Sequence, residues 1–71
     1  MKGFIEVTCF SGQVGLDYYE FKRVIGIRYI VDIDSFDKGV FIFYHDYTNV
    51  HRVSVKESYE EIKELIKQAQ K

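Results

Sequence analysis

The chain has 71 residues, enough for one domain over 1–71, and a domain this small hides only about 60% of its unfolded surface. Its 10 basic and 11 acidic residues give a net charge of -1, so charge alone implies neither a phosphate-binding surface nor an acidic mimic of DNA. Cys9 is the single cysteine, which excludes a disulfide framework and favours a reducing cytoplasm as the compartment.

The apolar content is high for so short a chain, at 46% with 17% aromatic residues. Because a small core gives limited stability and no disulfide or zinc motif supplements it, we expect a homo-oligomer. The longest wholly apolar run, Val40–Tyr44, has five residues, whereas a membrane span needs about 20. No hydrophobic signal segment follows Met1 and Lys2, so export is not expected.

The first part of the chain predicts two strands. Apolar residues alternate from residue 4 to 10, which places Ile5, Val7 and Cys9 on one face of the first strand. Gly12 tolerates a positive φ, so we expect a tight turn there and a short second strand over 13–17. Residues 17–21 are compatible with one helical turn or with a wide loop.

The middle of the chain predicts a long third strand and an apolar fourth strand. The third strand is predicted over 22–33, because five consecutive odd positions are apolar: Ile25, Ile27, Tyr29, Val31 and Ile33. Residues 34–39 have the composition of a turn. The fourth strand is predicted over 40–45. Its residues 40–44 have no polar face, and such strands are normally covered on both sides. Either the sheet therefore curls into a small barrel or its second face meets another subunit.

The last part of the chain predicts a fifth strand over 50–55 and a helix over 58–70. Ser58 precedes Glu61 by three residues, which is the spacing of a capping box. The apolar residues of the helix fall in one arc, as expected of a helix that lies on a sheet: Tyr59, Ile62, Leu65, Ile66 and Ala69. This order predicts an α+β fold, with a bent, largely antiparallel sheet of about five strands, open or barrel-like, followed by one amphipathic helix.

The segment from Val53 to Ile66, VSVKESYEEIKELI, resembles the C-terminal end of the FlbD/SwrD family of small bacterial flagellar-operon proteins. The upstream order, with a turn at Gly12, an isoleucine-rich strand and an apolar strand, is similar to that family in outline. The family's Leu-Asn-Gly turn is replaced here by Phe10-Ser11-Gly12, and its Leu-Asn-Pro-like segment by Tyr18-Tyr19-Glu20. The resemblance implies an association with motility. Similar small β-plus-helix proteins also occur in phages and mobile elements.

Residues with catalytic chemistry are few in this sequence. Cys9 with His45 or His51 would make a thiol-imidazole pair if the strands brought them together. Cys9 alternates with apolar residues, however, and is most simply a small core residue. We therefore predict a protein that is not an enzyme.

Metal-binding residues are equally sparse. Two histidines six positions apart make an incomplete metal shell. Asp32, Asp34 and Asp37 resemble a calcium loop, but position 43 holds Phe43 where such a loop closes with Glu. A solvated hairpin turn is the better interpretation, and we predict neither a metal nor a cofactor.

The aromatic residues of the fourth strand and the following turn are the candidate interface: Phe41, Phe43, Tyr44 and Tyr47. With Arg28 and Arg52 they would also suit the stacking of single-stranded bases, but such proteins usually pair their aromatic residues with a basic groove. The sequence therefore predicts a small protein-interaction or assembly module with a protein partner. The alternatives are a phage or mobile-element inhibitor that binds a host protein or a small ligand, and a single-stranded nucleic-acid binder.

Overall fold

The structure is a computed structural model that describes residues 2–12, 15–37 and 39–71. The strands are β1 (Phe4–Ser11), β2 (Tyr19–Gly26), β3 (Ile30–Phe36), β4 (Gly39–His45) and β5 (Val50–Val55), and the chain ends in helix α1 (Tyr59–Ala69). All neighbouring strands are antiparallel, in the order β2-β1-β5-β4-β3. The predicted α+β fold, with a five-stranded antiparallel sheet and one C-terminal helix, is confirmed.

The sheet is bent around the helix. β1 pairs with β2 along its whole length but with β5 only at Cys9 and Phe10. Helix α1 lies beside the N-terminal part of β1, which is not paired with β5. Just before this part, the Gly3 amide donates to the Ala69 carbonyl at 2.8 Å. The helix also contacts β3, although β5 and β4 separate β3 from β1 in the sheet. The sheet is therefore strongly curved, yet in the described part of the chain it stays open, with β2 and β3 as its edges.

The concave side of the sheet, which we call the inner face, forms the core with α1. In β1 the inner residues are those predicted from the alternation, Ile5, Val7 and Cys9. Each is at most 2% exposed. The other buried residues of this cluster are Ile25, Ile42, Val55, Ile62 and Ala69. A single helix thus encloses the centre of the inner face.

The capping box predicted at the start of the helix is confirmed. The Glu61 amide donates to Ser58 Oγ at 3.1 Å, and the Ser58 amide donates to Glu61 Oε1 at 2.9 Å. Both bonds satisfy amides that have no partner within the first helical turn. Ile62 and Ala69 are buried, Leu65 and Ile66 pack against them, and the predicted apolar arc is therefore the face that meets the sheet.

The predicted strand over 13–17 is not observed where it can be assessed. Residues 13 and 14 lie outside the described residues, and 15–17 form a turn in which Gly15 has φ +90°. The second strand begins instead at Tyr19. This residue belongs to the segment 17–21, for which the sequence was compatible with either a helical turn or a loop. Its partner is β1, and eight consecutive residue pairs extend from Ser11–Tyr19 to Phe4–Gly26.

The prediction of a single long strand over 22–33 is wrong. A short 3-10 helix, Ile27–Tyr29, separates β2 from β3. Gly26 makes room for this turn, because a Cβ at that position would lie 2.8 Å from Cδ2 of the Tyr29 ring. The Ile27 amide donates to the Gly3 carbonyl at 3.0 Å and fixes the same turn to the start of β1.

A bulge after Ile30 changes which β3 side chains face inward. The register shifts between Ile30 and Asp32, so that Ile30 and Ile33 both pack against the core while Val31 is 57% exposed. A bulge adds one residue to a strand and thereby reverses the alternation beyond it. The odd-position alternation used for the prediction therefore does not continue through Val31.

Strand β4 has two apolar faces in different environments. Ile42 is fully buried on the inner face, flanked there by Val40 and Tyr44. Phe41 and Phe43 point to the opposite, outer face and are only half-buried. Over residues 2–12, 15–37 and 39–71 the sheet is not closed into a barrel, which was one of the two predicted ways to cover both faces, and burial by another subunit stays a prediction.

Candidate functional site

Three phenylalanines gather on the outer face of β3 and β4. Phe36 is 58% exposed, and its ring centroid lies 5.8 Å from that of Phe41. Phe43 lies two residues further along β4 on the same face. We call Phe36, Phe41 and Phe43 the outer phenylalanine patch. An exposed aromatic cluster of this kind on a small protein is typical of an interaction surface.

Opposite charges flank the outer phenylalanine patch in the same register. Asp32 is directly opposite Phe43 on one side, and Arg52 is opposite Phe43 on the other. The row across three strands is therefore acidic, aromatic and basic. In the next row Asp34 is opposite Phe41, and the Arg52 guanidinium carbon lies 5.1 Å from the centroid of the Phe41 ring.

The two aspartates of β3 form no ion pair with any other described residue. The pKa of Asp34 is raised above its usual value, first by partial loss of hydration and then by the neighbouring Asp32 carboxylate. Two like charges on one strand face are unfavourable, and a cation brought close to them would relieve the repulsion.

The structure divides the four candidate interface residues between two places. Phe41 and Phe43 belong to the outer phenylalanine patch. Tyr44 points to the inner face, opposite His51 of β5. Tyr47 lies in the turn between β4 and β5 and is fully exposed. Alternation along a strand already separates Tyr44 from Phe41 and Phe43, but the prediction grouped these residues by their aromatic character.

A cleft of about 440 Å³ lies where β2 ends, between that strand and the turn from β4 to β5. Its walls include Arg23 of β2, Tyr29 of the 3-10 helix, and Tyr44, His45 and Tyr47. The Tyr29 ring stands edge-on to His45 with 5.7 Å between their centroids. This size falls in the usual range of small-molecule sites, roughly 300–1,000 Å³.

Arg23 supplies the positive charge of the cleft. Its Nη1 donates to the Tyr44 hydroxyl at 3.0 Å, and its guanidinium carbon lies 5.5 Å from the Phe21 ring centroid and 5.9 Å from that of Tyr44. Arg23 forms no ion pair with another described residue. The sequence could have identified Arg23 as a candidate site residue, because it is a charged residue between the apolar Phe21 and Ile25 on the same face of the strand.

Asp46 also lies in the cleft wall, but its carboxylate is already hydrogen-bonded to other residues of the protein. Its Oδ1 accepts from the Thr48 and Asn49 amides at 3.1 Å, and its Oδ2 lies 2.6 Å from His51 Nε2. These hydrogen bonds, led by the one from His51, lower the pKa of Asp46 from 3.8 to about 2. The carboxylate is therefore ionised and bonded within the turn.

The structure separates Cys9 from the histidines. Cys9 is fully buried opposite Val55, whereas His51 is four residues earlier on β5, about 13 Å along the strand. Burial is the main reason why the pKa of the Cys9 thiol is raised, and Arg23 partly opposes that effect. Cys9 is thus a core residue, as its alternation with Ile5 and Val7 predicts.

The acidic residues Asp32, Asp34 and Asp37 are arranged differently from the predicted hairpin turn. Asp32 and Asp34 lie in β3, which extends to Phe36, and the turn begins only at Asp37. Within the described ranges, no three His, Cys, Asp or Glu side chains are grouped so that they could hold a metal ion.

No protein-family model, curated protein or solved structure matches the chain. The resemblance to the FlbD/SwrD family stays a prediction from residues 53–66. Over residues 2–12, 15–37 and 39–71, no helix combines the length and apolar character needed to cross a membrane.

Proposed function

We propose that this chain is a non-enzymatic protein-interaction module whose outer phenylalanine patch binds a second copy of the same chain. The observation that carries the proposal is the row Asp32, Phe43 and Arg52, in which an aromatic centre has opposite charges on its two sides. A surface of this kind is self-complementary, which is the requirement for a two-fold symmetric interface.

The surface area of the chain supports this proposal. Its solvent-accessible surface is 5312 Å², whereas a compact monomer of 8.4 kDa exposes about 4,600 Å². Part of the surplus of roughly 700 Å² is apolar, and Phe36 of the outer phenylalanine patch, which is 58% exposed, contributes to it. A second copy on the outer face would cover that contribution.

The charges also select the orientation of the two copies. A two-fold axis running along β4, between two sheets packed face to face, places β3 of one copy over β5 of the other. Asp32 then faces Arg52 of the second copy at both ends of the interface. An axis perpendicular to β4 would instead place β3 over β3 and bring the aspartates together, which is unfavourable.

Charge reversal tests this arrangement. Arg52→Asp and Asp32→Arg should each abolish self-association, because each places like charges opposite one another in the homodimer. An equimolar mixture of the two variants should associate again, since both contacts in the mixed dimer are then between opposite charges. The measurement is mass by light scattering or sedimentation over a range of concentrations.

Lys63→Asp is the matched control, because it reverses an exposed charge on α1, away from the outer phenylalanine patch. This variant should associate like the unchanged protein. The proposal is wrong if the unchanged protein stays at 8.4 kDa throughout, or if the mixture of Arg52→Asp and Asp32→Arg fails to associate.

The FlbD/SwrD resemblance supports a flagellar setting for such a module. Deleting the gene in its host and measuring swimming tests that setting. Unchanged motility would remove it without affecting the proposal of self-association.

A further inference from the structure

The cleft at the end of β2 is a second site, which contains Tyr44 of the inner face, whereas the outer phenylalanine patch lies on the opposite face of β4. We propose that it binds a small planar aromatic anion, with Arg23 holding the anionic group and the tyrosines of the cleft contacting the ring. The proposal does not depend on self-association, because Arg23 extends from the inner face.

The charge of the ligand follows from the hydrogen bonds around Arg23. One guanidinium nitrogen is used by the Tyr44 hydroxyl, and the stacked arrangement over the Phe21 and Tyr44 rings holds the planar group in one orientation. Asp46 is the carboxylate in the cleft wall, but it is bonded to His51 and to two backbone amides. Among the described residues Arg23 is therefore an oriented cation without an ion-pair partner, and its fork of N–H groups suits a carboxylate or a phosphate.

The aromatic character of the ligand follows from the walls. Tyr29 is held by close contact with Gly26 and by the edge of His45. Tyr44 is supported from β5 by His51, with ring centroids 5.5 Å apart. Tyr47 is fully exposed at the rim and free to cover a bound ring. Such rings favour a planar aromatic group over an aliphatic chain of equal size.

The test is a titration of the ¹⁵N-labelled full chain, followed by amide chemical shifts. The probes are benzoate and phenyl phosphate, with benzyl alcohol as the neutral aromatic control and acetate as the non-aromatic anion. We expect saturable shifts at Arg23, Gly26, Tyr29 and Tyr47 with at least one aromatic anion, at an affinity of about 1 mM for probes of this size. The two aromatic anions distinguish a carboxylate ligand from a phosphate ligand.

Two variants of neighbouring β2 residues provide the matched comparison. Arg23→Gln should weaken binding of the aromatic anion by about ten- to a hundredfold, because a charged hydrogen bond is lost. Lys22→Gln removes the adjacent positive charge, which lies on the opposite face of β2 and donates to Thr8 Oγ1 at 2.7 Å, and this variant should bind like the unchanged protein. Arg23→Lys keeps the charge but not the planar fork of N–H groups, and it should bind with intermediate affinity. This variant provides the test if Arg23→Gln fails to fold.

Three results would overturn the proposal. It is wrong if benzyl alcohol or acetate shifts the same amides as strongly as benzoate and phenyl phosphate. It is also wrong if Arg23→Gln binds as well as the unchanged chain, or if neither aromatic anion gives saturable shifts in the cleft. Because the comparison of charged and neutral probes uses the unchanged protein, it gives an answer even if every variant unfolds.

Discussion

The two faces of the sheet differ in what covers them. On the inner face, α1 and the strands enclose Ile42 and Ile62 completely. On the outer face, Phe36 is more than half exposed, and Phe41 and Phe43 are half-buried. Apolar residues of the same sheet therefore lie in different environments. We expect inner residues to determine stability and outer residues to determine association.

The largest expected effect is on the inner face. Ile62→Ala should lower the free energy of unfolding by about 2–5 kcal/mol, because it removes a fully buried side chain and leaves a cavity. Urea unfolding followed by circular dichroism measures this loss. Ile62→Val, which removes one methyl group, should cost only about 0.5–1.5 kcal/mol. Equal effects of the two substitutions would mean that α1 is not tightly packed.

The corresponding change on the outer face should separate association from folding. Phe43→Ala should weaken self-association by about 2 kcal/mol or more, as truncation of a central aromatic interface residue does. Sedimentation at several concentrations measures this change. Unfolding of the dilute protein should change much less than for Ile62→Ala. If Phe43→Ala destabilises the dilute chain as strongly, the distinction between the two faces fails.

A smaller effect is expected at the start of the helix. Ser58→Ala should cost about 1 kcal/mol, because the Glu61 amide loses its acceptor. Thermal unfolding is the measurement. Ser35→Ala, at an exposed serine of β3 that caps no helix, should change stability by no more than about 0.5 kcal/mol. A loss of equal size in both variants would show that the cap contributes nothing specific.

The smallest effect concerns acid stability at the turn between β4 and β5. The folded pKa of Asp46, about 2, is below its ordinary value of 3.8, so its stabilising contribution is present above pH 3.8 and lost as the pH falls towards 2. Asp46→Asn should flatten the pH dependence of the melting temperature in that window. Asp37→Asn, at another exposed turn, is the control and should retain the slope.

Features that depend on neighbouring residues could be predicted from the sequence. The Ser58–Glu61 capping box acts within one turn of helix, and the alternation from Ile5 to Cys9 needs only a strand with one buried side. β4, β5 and α1 therefore lie close to their predicted positions.

Features that depend on packing between distant residues could not be predicted. The break after Gly26 requires the Tyr29 ring to lie against that glycine, and the sequence shows only continued apolar alternation. The cleft was missed for the same reason, because the curvature of the sheet brings Arg23 to Tyr44 across strands that are not neighbours. The patch was found in part, since Phe41 and Phe43 share a face but Tyr44 does not.

The bulge at Val31 has a consequence for the size to which copies of the chain can assemble. β3 is an edge strand, and a straight edge offers a continuous row of amides and carbonyls to which further chains can add. The irregular register at Val31 interrupts that row, and the negative side chains that follow it repel an identical edge. If copies of the chain pair face to face as proposed, the β3 edge should therefore not extend that pair into a filament.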